Sequence, residues 1–118
     1  MRRLSASNVF PRIGTTASSA TPSINVDTVD QYNITALAIA ITSMTSGLTG
    51  TPLDGQKLLI RVKDNGTARV ITWGASFISS GSATLPTTTV VSKTHMIGLI
   101  YDSVAAKWVC QAVDPVGY

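Results

Sequence analysis

Apolar and polar residues start to alternate with a period of two at Ile24 and keep that period to near the end of the chain. Ile24, Val26 and Thr28 alternate with Asn25 and Asp27, which predicts a first strand over 24–29. Tyr32 to Thr42 predicts a second, with Leu37, Ile39 and Ile41 on one face and Ala36, Ala38 and Ala40 on the other. The large face is assigned to a core. The alanine face suits the close approach of a second sheet or a second subunit. Ser43 to Gly55 holds Gly47, Gly50, Pro52 and Gly55 and reads as a loop.

Lys57 to Lys63 predicts a strand with Leu58, Ile60 and Val62 inward and Leu59, Arg61 and Lys63 outward. Asn65-Gly66 follows, a strong hairpin signal, so Thr67 to Trp73 is expected to return alongside it. Phe77-Ile78 is a short apolar piece. Thr87 to Val91 is expected at a sheet edge, behind Pro86, where a missing N–H is tolerated. Thr94 to Tyr101 predicts a central strand, and a turn over 102–106 leads to a last one, Lys107 to Ala112. Short strands with frequent turn signals predict an all-β fold, an antiparallel β-sandwich of jelly-roll type over residues 24–118.

Before Ile24 no period is sustained. Gly14 to Ser23 is small and polar, and Val9, Phe10, Pro11 and Ile13 are the strong apolar positions. Residues 1–23 are therefore expected to form an extended arm. Ordering such a segment costs about 1–2 kcal/mol per residue, which a surface on another chain could offset.

Composition sharpens this picture. The chain has 118 residues, enough for one domain. Hydrophobic residues make up 44%, which excludes global disorder, and charged residues 13%, about half the usual share. Glutamate is absent, while serine and threonine supply 29 positions. Such a chain suits strands and turns, and a helical bundle is excluded.

The formal net charge is +3. Arg2, Arg3 and Arg12 precede the first acid, and beyond them six cations balance six aspartates. Three arginines so spaced are too sparse for a nucleic-acid tail, so direct nucleic-acid binding is not expected. An acidic protein surface fits better.

One cysteine, Cys110, and one histidine, His95, exclude a disulfide within the chain and a multi-His or multi-Cys metal site within one subunit. No metal or cofactor is expected. The run Ala36 to Ile41 is too short to cross a bilayer, and no apolar signal segment follows Arg2 and Arg3, so neither membrane insertion nor export is expected. Gly50 to Lys57 nearly fits a phosphate-binding loop, but its lysine is one place late and a strand follows. It reads as a turn.

His95 could act as a general base or, repeated about a three-fold axis, as a metal ligand. No nucleophile elbow or neighbouring acid accompanies it. Asp54, Asp64 and Asp102 lie in turns, where aspartate satisfies backbone N–H groups, and no paired-carboxylate hydrolase site is expected. Trp73, Trp108, Tyr32, Tyr101 and Phe77 read as core or interface residues in preference to a sugar-stacking surface. An enzyme is not expected.

A resemblance enters between Gly50 and Trp108. Its pieces are Gly50-Thr51-Pro52, Asp54 to Arg61, Lys63 to Arg69, Ile71-Thr72-Trp73-Gly74, Leu85 to Thr89 with Lys93, and Tyr101 to Trp108. This run resembles a β-domain that recurs in tailed-bacteriophage virion proteins, near the C-terminal end of head fibres, tail fibres and related appendages. The resemblance implies a non-enzymatic, trimeric β-sandwich displayed on a phage particle and made in the bacterial cytoplasm.

Where fibres carry a shaft, this chain has a short leading segment, which implies a capsid decoration (cement) protein seated on the major capsid protein at the outer surface of the shell. The other reading is a fibre tip that binds host-surface glycan. The expected capsid contacts are Arg2, Arg3, Val9, Phe10, Arg12 and Ile13. The expected trimer contacts are Ala36, Ala38, Ala40 and Trp73.

Overall fold

A computed structural model of the chain describes residues 10–118. Its elements are all strands: β1 (Ile13–Thr16), β2 (Ile24–Asn25), β3 (Gln31–Leu37), β4 (Leu48–Thr49), β5 (Lys57–Asp64), β6 (Phe77–Ile78), β7 (Thr94–Asp102) and β8 (Lys107–Val113). Six form one sheet in the order β1-β3-β5-β7-β8-β6, and β2 and β4 form a second, two-stranded sheet.

The pairing is mixed, not antiparallel throughout. β5, β7 and β8 are antiparallel neighbours, but β1, β3 and β5 run parallel, as do β6 and β8. Parallel neighbours need long crossovers. Residues 17–30 and 38–56 supply them, and both cross the same face of the sheet, carrying β2 and β4 with them.

That face is the core. β3 contributes Tyr32 and Ile34, β5 contributes Leu58, Ile60 and Val62, β7 contributes Ile97 and Leu99, and β8 contributes Trp108 and Cys110, all buried. β6 adds Phe77, and Ile24, Val26, Ile41, Met44, Ile71, Trp73, Ala83 and Leu85 close over them. The covering layer is thus irregular chain joined by the isolated bridges Ile41–Ile71 and Val70–Thr88.

Alternation predicts β5, β7 and β8 closely, and the 77–78 piece is β6. The first predicted strand shortens to β2, because Asn25 turns the chain: its carbonyl accepts from Thr28 and Val29 N–H, and its side chain from Asp27 N–H. In β3 the register shifts between Ile34 and Leu37, which moves the inward positions from even to odd numbers. Leu37 and Ile41 are buried as expected, whereas Ile39 is half exposed.

Asn65-Gly66 does not close a hairpin. β5 is taken on both sides, by β3 and β7, so residues 67–73 leave the sheet for the covering layer. Their alternation survives there, with Ile71 and Trp73 buried and Val70 exposed.

The expected arm boundary at residue 23 does not mark where the chain leaves the body. β1 lies in register beside β3. Beyond it, Ala17 O accepts from Ala36 N at 2.9 Å, Ser18 Oγ from Ala38 N at 2.9 Å, and Ala20 O from Thr42 N at 2.9 Å. Gly14 makes this approach possible, since a Cβ there would meet the Tyr32 ring at 2.9 Å. Residues 12–20 are therefore held to the subunit's own body, by backbone and side-chain hydrogen bonds along an otherwise open sheet edge.

The β7–β8 turn is held by Asp102, whose Oδ1 accepts from Val104 and Ala105 N–H. Ala106 closes it at a φ of 55°, a left-handed conformation that costs a side chain about 1 kcal/mol. Ala106 is exposed. Ala106→Gly is expected to raise stability by about 0.5 kcal/mol, the strain relief less the entropy glycine adds to the unfolded chain, as read from a urea midpoint.

Candidate functional site

The groups best suited to chemistry sit inside the molecule and are occupied there. His95 is fully buried on the inner face of β7. Val90 N–H donates to its Nε2 at 3.0 Å, so the ring proton sits on Nδ1, which donates to Asp114 O at 2.9 Å. Neither nitrogen is free to abstract a proton or to face a three-fold axis.

Asp64 shares that face on the neighbouring strand but makes no bond to His95. Its Oδ1 accepts from Gly66 N–H at 3.0 Å and Ser92 N–H at 2.8 Å, and its Oδ2 from the Thr89 hydroxyl at 2.7 Å. Thr89 Oγ1 in turn accepts from Arg69 N–H. Asp64 and His95 together pin the 87–93 segment, including Ser92 at a φ of 63°. Burial alone would raise the Asp64 pKa; the bonds from Ser92, Thr89 and Gly66 outweigh it and hold the carboxyl below its ordinary value.

The other aspartates serve turns and loop ends. Asp54 accepts from Ser103 N–H, Asp27 from Thr51 N–H, and Asp114 from Gly117 N–H. Burial raises the Cys110 pKa and leaves the thiol protonated and inert. Among the described residues no three His, Cys or Asp side chains gather as a metal site would require, and no helix is long and apolar enough to cross a membrane.

The expected contact residues divide. Arg2, Arg3 and Val9 lie outside the described residues. Arg12 is engaged by its own subunit: its guanidinium forks onto Asp30 through Nη2 at 2.9 Å and Nε at 3.1 Å, and Nη1 donates to Asp27 O. That hydrogen-bonded fork raises the Arg12 pKa and lowers that of Asp30. It is the one ion pair among the described residues. Phe10 and Ile13 instead stand open, 78% and 52% exposed.

Of the expected trimer contacts, Ala36 and Ala38 are exposed and Ala40 is half-buried. Trp73 is a core residue. It packs edge-on against Phe77 at 5.2 Å, and its Nε1 donates to Pro86 O at 2.7 Å. Tyr32, Phe77 and Trp108 are buried too, which leaves only Tyr101 half-buried among the five aromatics weighed as a sugar platform.

The open surface lies on the other face of the six-stranded sheet. The register aligns Ile13, Gln31, Leu59, Gly98 and Ala112 in one row across it, and Thr15, Asn33, Arg61 and Met96 in the next. Ile100 joins Lys57 to Val109 on one side, and Lys63 pairs with Thr94 on the other. A shallow groove of about 590 Å³ crosses this face, lined by Phe10, Pro11, Leu59, Gly98, Ile100 and Gln111 among others. Gly98 leaves its floor without a side chain.

Sequence reading places Leu59, Arg61 and Lys63 outward. It does not find the groove, because β1 and the parallel β1-β3-β5 order are not written in any local pattern. Comparison with protein-family models, with curated proteins and with solved structures gives no significant match to the chain.

Removing the Asp64 carboxylate should expose what it holds. Asp64→Ala leaves the Thr89 hydroxyl and two N–H groups without their acceptor and is expected to cost about 2–3 kcal/mol in urea unfolding at neutral pH. The lowered carboxyl binds a proton less readily folded than unfolded. Its contribution is therefore complete above the unfolded value of about 3.9 and disappears as pH falls through the lower folded value. Below about pH 4 the wild-type stability should fall more steeply than that of Asp64→Asn.

Proposed function

We propose that this chain is a structural virion protein of a tailed bacteriophage, a trimeric decoration protein with a jelly-roll-like β-sandwich that binds the major capsid protein and stabilises the assembled shell. The observation that carries this reading is the pair of open apolar residues, Phe10 and Ile13, beside an uncovered sheet face, in a chain whose histidine and aspartates are engaged in its own structure. The resemblance carried by Gly50 to Trp108 supplies the class of particle.

The tether in this mechanism is shorter than residues 1–23, since residues 12–20 are bonded to the body. Contact with the shell then falls to the residues before Arg12, Arg2, Arg3, Val9 and Phe10 among them, together with Ile13 and the face it borders. The work done is mechanical. A protein that binds only the assembled shell stabilises it by mass action, and three linked copies bind far more tightly than one. The glycan-binding fibre tip has less to draw on, as Tyr32, Trp73, Phe77 and Trp108 are buried and the exposed aromatics are Phe10 and Tyr118, 108 residues apart in the chain.

The test uses particles from a phage lacking the gene. Purified protein added back should co-sediment with them and restore their resistance to heat, and light scattering should give the mass of three chains. Phe10→Asp with Ile13→Asp, both at exposed positions, should lower attachment at least about tenfold with an unchanged urea midpoint. Protein that sediments apart from the particles and attaches to host cells would overturn the shell reading.

A further inference from the structure

We infer that the outer face of the six-stranded sheet is a docking surface for an acidic protein surface. Lys57, Arg61 and Lys63 project from one side of β5, the central strand, and none of them forms an ion pair among the described residues. Strand geometry sets Arg61 and Lys63 roughly 7 Å apart and Lys57 roughly 13 Å from Arg61. Between and beside them lie half-buried aliphatic side chains: Leu59 on β5, Met96 and Ile100 on β7, and Val109 on β8.

No aspartate stands in these rows. Asp30 borders the groove and is already held by Arg12, and Asp102, two residues past Ile100 on the same side of β7, caps the 102–106 turn. The others cap turns and loop ends or are buried. The face therefore joins an aliphatic floor to an uncompensated positive charge.

Charge also decides among possible occupants. A second copy stacked face to face would set three cations against three. Residues 1–9 contain Arg2 and Arg3 and no acid, so they add to the positive charge. A nucleic acid would satisfy the cations but would find a single exposed aromatic, Phe10, beside an otherwise aliphatic face, where binding of successive bases takes several. An acidic protein surface with an apolar centre satisfies both parts.

Size sets the strength. From β1 to β8 the face is about 19 Å wide, and β5 is about 26 Å long, so it offers roughly 500 Å². A stable pairwise interface takes about 800 Å² from each partner. One subunit should dock weakly and reversibly, as a multivalent contact requires. Identifying the acidic partner with a phage shell rests on the reading above; the chemistry of the face does not.

The test is an NMR titration of the ¹⁵N-labelled full chain with three probes: a peptide of alternating glutamate and leucine, poly-L-glutamate, and a DNA oligonucleotide of matched charge. Amide shifts are expected to concentrate at residues 57–63 and 94–100 and to vanish at high salt, with the glutamate–leucine peptide binding tightest. K57E/R61E/K63E should lose at least about tenfold in affinity for the peptide, while K57R/R61K/K63R stays within about twofold. Urea midpoints near wild type will show that both variants fold.

Shifts centred elsewhere, equal losses in the two triple variants, or tightest binding by the oligonucleotide would each overturn the inference. None of these results bears on particle attachment, which reads binding through any surface, so the two proposals fail separately.

Discussion

The structure depends on covering one apolar sheet face with chain that is mostly not sheet. Ile34, Leu58, Ile60, Val62, Ile97 and Leu99 must leave water. The two-stranded β2–β4 pair is too small to shelter them, so crossovers and loops complete the layer. A loop over a core brings backbone N–H and C=O groups that must find partners there. Short polar side chains answer part of that need. Thr45 is one case, donating to Trp73 O and accepting from Ser76 N–H. Ser43 accepts from Thr45 and Ser46 N–H, and Gln56 joins the loop after β4 to Val26 O.

The same requirement shapes the chemistry. Asp64 and His95 would attract notice in any search for catalysis, yet each is turned toward backbone groups of the covering layer. Their burial marks how irregular chain is fixed over a core. On the opposite face the aliphatic side chains are half-buried, and Lys57, Arg61 and Lys63 form no ion pair among the described residues.

What could be read in the sequence follows from this division. β5, β7 and β8 sit within one sheet with one covered face, so a period of two names their inward residues. The single extra residue between Ile34 and Leu37 is invisible to such reading, and it reverses the faces beyond it. Asn65-Gly66 carried a strong local preference that lost to long-range pairing, because β3 and β7 already hold both edges of β5. β1 was hidden for another reason: Ile-Gly-Thr-Thr has no apolar alternation, and its partner lies 18 residues away. Of the contact residues, Phe10 and Ile13 were legible as apolar positions without a period, whereas the fork of Arg12 onto Asp30 belongs to the folded chain alone.

The outermost strands of the large sheet are β1, of four residues, and β6, of two. Sheets with long bare margins recruit neighbours by adding strands without limit. Among the described residues these two marginal strands offer only a few unpaired amides. Molecules of this kind can be crowded side by side at high local density with little tendency to zip into fibrils, leaving contact between copies to side chains.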